Sequence, residues 1–557
     1  MAHPLPQCVD TVIIGNGPSA LILSYILHGH IPYYTARHHD AILDQKLQNN
    51  KNLLGLTPHL YDHFLASLRY STQALPVNTL LDTLIRPNAD TEINPTSCVE
   101  WRYEPEKAIP HIVIGDAPRP GGQWADTPVS ATAATASLSY AEQLSLPGYS
   151  YAQHLAAAAQ KTASCDFVRP TRSEVADYLS AYPSAVGISD AIYSDTRADN
   201  VYRESNGFVI GSLGTHCQHL VLASGIFTVN LPPPPLLDPV ARLNTRSKPL
   251  LVIGSGFSAA DVIISAPLDR RIIHIFQWAP ETRPSPLRSC HHTAYPEYAS
   301  IYRQMKLSAI ANHKKPPLNS PLRRRKSSSP FIQRDWSSTY EGFPNAEIID
   351  VFATATEASA IVTIRLASGE DVKCEVGGLA YVVGRRGTLD FLSPALRAEV
   401  LEPTNAPISP MDATTSPTLI SGRTMRSKVE TSLEVAKNVF IIGSLAGDSL
   451  IRHAIGGCVF AAGRIMHAIP PTCSPSTTVP ASPPSTSRSI SPSLDSDNSF
   501  GLSCTKEDQK FAADGHEDLH LDRRKLMRAV EVVNAENLFW VGSGWWAGGL
   551  GPGTLEV

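Results

Sequence analysis

Nine cysteines are scattered along the chain (Cys8, Cys98, Cys165, Cys217, Cys290, Cys374, Cys458, Cys473 and Cys504), and no two of them form a CxxC pair. A dithiol redox centre, a thiolate zinc site and a disulfide framework each need regular cysteine spacing, so none is expected, and the thiols read as free and mostly buried. No window supplies about 18 uninterrupted apolar residues, the length a membrane-spanning helix needs. At the N-terminus Asp10 and Gly15 interrupt the first apolar stretch, unlike a secretory leader, so the expectation is a cytoplasmic protein. Neither sign of charge is in excess. The 47 Lys and Arg against 51 Asp and Glu leave a net charge of −4, which argues against a nucleic-acid partner. No Ser/His/Asp or metal-binding constellation stands out, and the isolated His291-His292 pair reads as surface loop.

What is present is ordinary core material, 43% hydrophobic and 18% charged residues over 557 positions, enough for two or three domains. The run VDTVII (9–14) passes directly into Gly15-Asn16-Gly17-Pro18-Ser19-Ala20 and then the apolar LILSYIL, which predicts strand, glycine turn and helix. LLVI (250–253) enters Gly254-Ser255-Gly256-Phe257-Ser258-Ala259 in the same way, followed by ADVIIS and the strand-like RIIHIF (271–276). Three further apolar runs, HLVLAS (219–224), LAYVV (379–383) and NVFII (438–442), end on small residues, as parallel strands do at a ligand-binding edge. The fold class expected is therefore α/β with two Rossmann-like dinucleotide-binding domains. The prolines 232 to 235 cannot join a ladder and read as the linker between them. Residues 316–330, PPLNSPLRRRKSSSP, and the Ser/Pro-rich 470–498 are expected to be disordered, with Arg323 to Lys326 as a solvated loop or a docking patch. Beyond them, 519–531 suits a charged helix and 536–549 a strand and turn.

In the first turn Gly15 permits the tight bend, Gly17 lets the backbone approach a pyrophosphate, and Ala20 permits close helix packing; Pro18 and Ser19 open the helix. An acidic residue for the ribose hydroxyls is expected near residue 35, but only Asp40 is at hand, and late. The second turn repeats the cradle with Gly254, Gly256, Ser258 and Ala259, Ser258 adding a hydroxyl donor. No acid closes its second strand; instead Arg283 and Arg288 follow, and a cation there favours a 2′-phosphate and hence NADPH, although each arginine taken singly suits solvent equally. In NVFIIGSLAGDSLIRHAIGG, Asp448 after Gly447 can accept hydrogen bonds from a ribityl chain or cap a helix, and Gly456 and Gly457 can admit a flat ring.

The stretches TVIIGNGPSA, LPVNTLLDTLIRPNADT, VEWRYEPEKAIPHIVIG, PGGQW, LSLPGYSYAQHL, YPEYASIYRQM, VGRRGTLDFL and GSLAGDSLIRHAIGG resemble the oxidative stress-induced growth inhibitor family, a branch near the flavin-containing and N-hydroxylating monooxygenases. The resemblance spans residues 11 to about 468. It implies a split FAD domain (1–246 and 374–469) around an inserted NADPH domain (247–373), with 470–557 as linker and tail. It also implies that Gly121, Gly122, Gln123 and Trp124 line the flavin, the alternative for Trp124 being a core position. The function implied is an NADPH-dependent monooxygenase acting on a small nucleophilic substrate with oxygen, through a hydroperoxide at flavin C4a. No catalytic side chain is needed, because the cofactors do the chemistry. A flavin-binding stress or growth regulator with little turnover is the alternative, and the missing CxxC argues against a disulfide reductase.

Overall fold

A computed structural model describes residues 4–468, apart from 50, 56–73, 88–95, 126–135, 159–167, 283, 291, 293–294, 314–333, 355–357, 403–418, 423 and 431. The basic loop, the Ser/Pro-rich segment, the suggested C-terminal helix and strand, Arg283 and His291 all fall outside the described residues. Two sheets organise the rest.

The first sheet runs in the order Glu434–Ala436, Val439–Ile441, Thr215–Leu222, Cys8–Ile14, His111–Ile114, Ile192–Tyr193. Cys8–Ile14 lies parallel to both neighbours, Ile13 facing Val113 on one side and Val221 on the other. Alternation along these strands feeds two cores. Ile13, Val113 and Val221 pack under the helices Pro18–Leu27 and Ile455–Ala468, while Val12, Ile14, Leu220 and Leu222 face the opposite layer. Burial on both faces is why these strands read as continuous apolar runs. An antiparallel pair, Val201–Glu204 with Gly207–Ile210, extends the sheet beside Thr215–Leu222.

The chain does not return to this sheet straight after its first helix. His30–Tyr34 pairs antiparallel with Val99–Tyr103, away from Cys8–Ile14. Residues 28–110 thus form an excursion that contains the helices Ala41–Gln48 and Pro76–Ile85. Asp40 caps the first of these, its carboxylate accepting from the amides of Ile42 and Leu43. The acid considered for a ribose is therefore a helix cap.

The second sheet is wholly parallel, in the order Tyr340–Pro344, Ile272–Phe276, Leu250–Ile253, Leu379–Tyr381, with the helix Phe257–Ser265 joining its two central strands. A three-stranded antiparallel sheet, Glu347–Ala353, Ala360–Arg365 and Asp371–Val376, is inserted before its last strand. Leu379–Tyr381 completes this sheet by pairing with Leu250–Ile253. The two connections between the units zip together, Val229–Asn230 pairing with Arg385–Thr388. Among the described residues no helix is long and apolar enough to cross a membrane, and no group of His, Cys, Asp and Glu is placed to hold a metal. Of the described cysteines, Cys98, Cys217, Cys290 and Cys458 are buried, Cys374 is half-buried and Cys8 is exposed.

The excursion docks tightly on the last helix. A Cβ at Gly456 would lie 2.1 Å from the Val77 carbonyl oxygen, so Gly456 is explained by this backbone contact. Gly456→Ala is expected to destabilise the fold by roughly 1–3 kcal/mol through overpacking, read as a lower urea midpoint with an unchanged m-value.

Candidate functional site

At the end of Cys8–Ile14, Gly15 turns at φ +116°, and a Cβ there would stand 2.4 Å from the Ala223 carbonyl oxygen. Only glycine passes under the end of the neighbouring strand. Asn16 fastens the turn to the next loop: its Nδ2 donates to the Ala117 carbonyl (3.2 Å) and to Ser194 Oγ (3.4 Å), and its own carbonyl accepts from the Gly121 amide (2.8 Å). Gly17 precedes the helix Pro18–Leu27, whose first turn has no side-chain cap, and a Cβ on Gly17 would meet nothing within 4 Å. Uncapped helical N–H groups beside open space suit an anion.

Two distant segments close on this turn. Gly122 has φ +54°, and a Cβ there would come within 3.0 Å of the Gly17 Cα, so the segment Gly121 to Trp124 lies directly over it. Trp124 is half-buried against the first core. From the other side Gly443 abuts Ser19, where a Cβ would meet Ser19 Oγ at 2.3 Å, and Cys458 Sγ donates to the Ser19 carbonyl (3.2 Å). Ala20 is fully buried. Ser224 Oγ and Ser449 Oγ are buried with no hydrogen-bond partner among the described residues.

The acid missing near residue 35 has a structural counterpart elsewhere. The parallel strand beside Cys8–Ile14 is His111–Ile114, and it is followed by Gly115 and the exposed Asp116. Asp116 stands where dinucleotide folds carry the ribose-binding carboxylate. Counting residues from the first turn missed it because the excursion separates helix from strand; the signal was the apolar run HIVIG entering an acid just before PGGQW.

Asp448 is buried, and its carboxylate accepts from the Leu75 amide (2.9 Å), Asn78 Nδ2 (2.5 Å) and Arg426 Nη1 (2.9 Å). Asn78 Oδ1 in turn accepts from the Gly457 amide at 2.7 Å. Asp448 is thus a junction between the excursion and the last helix, and the three donors leave its carboxylate room for about one more. Beside it Asp82 receives Arg452 Nε (2.9 Å) and Arg86 Nη1 (3.2 Å), all buried. Burial alone would raise the Asp82 pKa, but Arg452, His453 and Arg86 hold it below the ordinary carboxylate range. His453 is buried, its Nδ1 has no hydrogen-bond partner among the described residues, and burial lowers its pKa.

The second turn is built on the same plan. A Cβ at Gly254 would stand 2.5 Å from the Val382 carbonyl oxygen, and one at Gly256 would meet nothing within 4 Å. His274 is fully buried, and burial pushes its pKa down to about 4. Being neutral, it donates from Nε2 to the Gly254 carbonyl (2.7 Å) and accepts at Nδ1 from the Tyr340 hydroxyl (2.8 Å). Ser285 Oγ donates to the Ser255 carbonyl (2.7 Å), and Ser255 Oγ accepts from the Gln277 amide (2.8 Å). Ser258 is half-buried and Ala259 buried in the first turn of the following helix. Arg288 is exposed and donates to the Pro280 carbonyl (3.1 Å). One turn further along the helix, Asp261 is 8% exposed and accepts from the Tyr298 hydroxyl (2.8 Å).

Two sheets with parallel central strands, each entered by a strand, a glycine turn and a helix, define a two-domain α/β protein of the dinucleotide-binding class. The curated homologues of this chain are oxidative stress-induced growth inhibitors. It is 25% identical to mouse (Mus musculus) oxidative stress-induced growth inhibitor 1 over 507 residues, covering 84% of this chain and 96% of the relative. It is 23% identical to human (Homo sapiens) oxidative stress-induced growth inhibitor 2 over 511 residues, covering 80% and 91%. No family model matches. Among solved structures it is similar to a bacillithiol disulfide reductase from Staphylococcus aureus (11% identity, TM-score 0.41, 83% of this chain and 99% of that one). It is likewise similar to a flavin-containing monooxygenase from Stenotrophomonas maltophilia (13% identity, TM-score 0.41, 83% and 98%).

Burial pushes the Asp261 pKa up to about 7, against the opposing pull of Tyr298 and Arg172. Its folded pKa exceeds its unfolded one, so the folded protein binds the extra proton, and stability falls as pH rises from about 4 to about 7. Asp261→Asn keeps an acceptor for Tyr298 and is expected to flatten the thermal midpoint across that window. It should gain on the order of a few kcal/mol over the parent at pH 8; identical pH profiles would refute the assignment.

Proposed function

We propose that the chain is a cytoplasmic flavoprotein oxidoreductase of the monooxygenase type, holding FAD on the first sheet and NADPH on the second. The observation that carries this reading is the convergence of residues 15–20, 121–124 and Gly443 on the end of the strand Cys8–Ile14. The FAD unit comprises 1–246 with the returning chain to 469, and the NADPH unit runs from 247 to the strand ending at Tyr381.

The residues fit the groups. The amides after Gly17 would bind the FAD pyrophosphate, Asp116 the ribose hydroxyls, and Asp448 the ribityl chain through its remaining acceptor position. Ser224 and Ser449 offer buried hydroxyls without a partner among the described residues, and Trp124 with the Gly121–Gly122 backbone would shield the ring from water. The amides after Gly256 would take the NADPH pyrophosphate, with Arg283 or Arg288 for the 2′-phosphate. The chemistry that bound FAD supplies is hydride acceptance from NADPH and activation of oxygen toward a small nucleophilic substrate. Around it the protein binds, orients and excludes water. A growth-regulatory flavin binder with little turnover is the second reading, favoured by the names of the curated relatives.

Gly17 and Gly256 both have room for a side chain, so Gly17→Val and Gly256→Val should fold while filling ligand volume. The first is expected to purify without yellow FAD; the second should keep FAD but lose rapid reduction by NADPH. Parent protein that folds correctly yet takes up no FAD would end this reading. Asp116→Asn should weaken FAD binding by about 10- to 100-fold, the worth of a charge-assisted hydrogen bond, measured by fluorescence titration of apoprotein. In the parent, stopped-flow reduction should be faster with NADPH than with NADH, and equal rates would remove the role given to the arginines.

A further inference from the structure

The turn Gly254-Ser255-Gly256 is a short stretch of backbone that its two glycines leave free to rotate. Each of its peptides can present either an N–H or a carbonyl oxygen to the space beside Gly256, and only the N–H attracts an anion. Two buried side chains settle that choice. His274, in the strand Ile272–Phe276, is fully buried and donates from Nε2 to the Gly254 carbonyl at 2.7 Å. Ser285 is 6% exposed, and its Oγ donates to the Ser255 carbonyl at 2.7 Å. In a planar trans peptide the carbonyl and the N–H point in opposite directions. With both carbonyls drawn onto buried donors, the amides of Ser255 and Gly256 are turned the other way, out of the packed core. Neither carbonyl can swing toward a bound anion without giving up its hydrogen bond.

Both donors are held in their roles by neighbours. Nδ1 of His274 lies 2.8 Å from the Tyr340 hydroxyl. A carbonyl only accepts, so the ring proton sits on Nε2 and Tyr340 donates to Nδ1. Ser285 Oγ also accepts from the Leu287 amide at 3.3 Å, capping the turn Pro286–Ser289. Ser255 Oγ is bound to the Gln277 amide, and the chain on both sides of Gln277 is riveted to Asn345. The Asn345 amide donates to the Phe276 carbonyl (2.8 Å), its Oδ1 accepts from the Trp278 amide (2.7 Å), and its Nδ2 donates to the Trp278 carbonyl (2.9 Å). The first turn repeats the device with different atoms. There the carbonyl of the middle residue, Asn16, is tied down by the Gly121 amide at 2.8 Å. Burying polar side chains adds nothing to an apolar core, so the recurrence of a pinned carbonyl in both turns points to orientation of the turn as their use.

We propose that His274 and Ser285 are positioning residues for the second nucleotide, locking the carbonyls of the turn inward so that its amides stand ready for a pyrophosphate. The proposal rests on the reading of this turn as the NADPH site and names the side chains that set its affinity. Both act through the backbone rather than on the ligand.

The test is isothermal titration calorimetry of the full-length protein with NADP+ and with 2′-AMP, a fragment that lacks the pyrophosphate. In Ser285→Ala and in His274→Phe the Kd for NADP+ should rise about tenfold, the worth of a hydrogen bond to a charged group. The Kd for 2′-AMP and the FAD content should stay at the parent values. Thermal midpoints show that each variant folds, and Ser285→Ala alone decides if His274→Phe does not. A folded parent that binds no NADP+ overturns the nucleotide reading and the proposal with it. NADP+ bound by the parent with an unchanged Kd in folded Ser285→Ala overturns the positioning role alone. So does a loss of 2′-AMP affinity in parallel with that of NADP+, which would mark general damage to the site rather than a turned peptide.

Discussion

The constraint on which the two sheet edges depend is the passage of backbone beneath backbone at the two glycine turns. Gly15 leaves its strand under the Ala223 carbonyl, and Gly254 leaves its own under the Val382 carbonyl, at separations no side chain tolerates. Because each turn must clear the end of a neighbouring parallel strand, the strand order and the helix direction are set together. The following helix then starts at the sheet edge with its N–H groups facing outward. The amides assigned to the two pyrophosphates are positioned by that geometry.

A second constraint is electrostatic. The buried carboxylates Asp82 and Asp448 join the excursion to the segment 443–457: Asp82 of the excursion accepts from Arg452, and Asp448 of the segment accepts from the Leu75 amide and Asn78, and also from Arg426. A buried carboxylate without its partners is costly by several kcal/mol, so docking of the helix Pro76–Ile85 and formation of the 443–457 segment are coupled. This explains why a long excursion after the first helix does not disrupt the first sheet. It returns as a wall of the same site, with Asn78 joining Asp448 to the Gly457 amide.

The two units communicate through polar contacts. Arg169 pairs with Glu297 and lies over the Tyr295 ring, while the Tyr295 hydroxyl donates to the Leu138 carbonyl. Together with the zipped strands Val229–Asn230 and Arg385–Thr388, these contacts fix which residues of the second unit face the segment Gly121 to Trp124. The relation between the sheets is a product of this junction.

Local sequence was enough to determine the two strand–turn–helix starts, because the apolar runs, the glycines and the small residue at the helix contact are chemical requirements of the turn itself. It also determined the parallel character of the returning strands at 219, 379 and 438, since burial on both faces demands unbroken apolar runs. What only the tertiary structure decided is everything that depends on which segments become neighbours. The spacing rule pointed to residue 35 for a ribose acid and found Asp40, a helix cap, because the excursion moved the adjoining strand to His111–Ile114 and its acid to Asp116. Gly456, read as admitting a flat ring, lies against the Val77 carbonyl, and Asp448, read as an acceptor for a ribityl chain or as a helix cap, also accepts from three protein donors. Pairing across hundreds of residues leaves no local periodicity, so close approach and charge compensation appear only once the chain is folded.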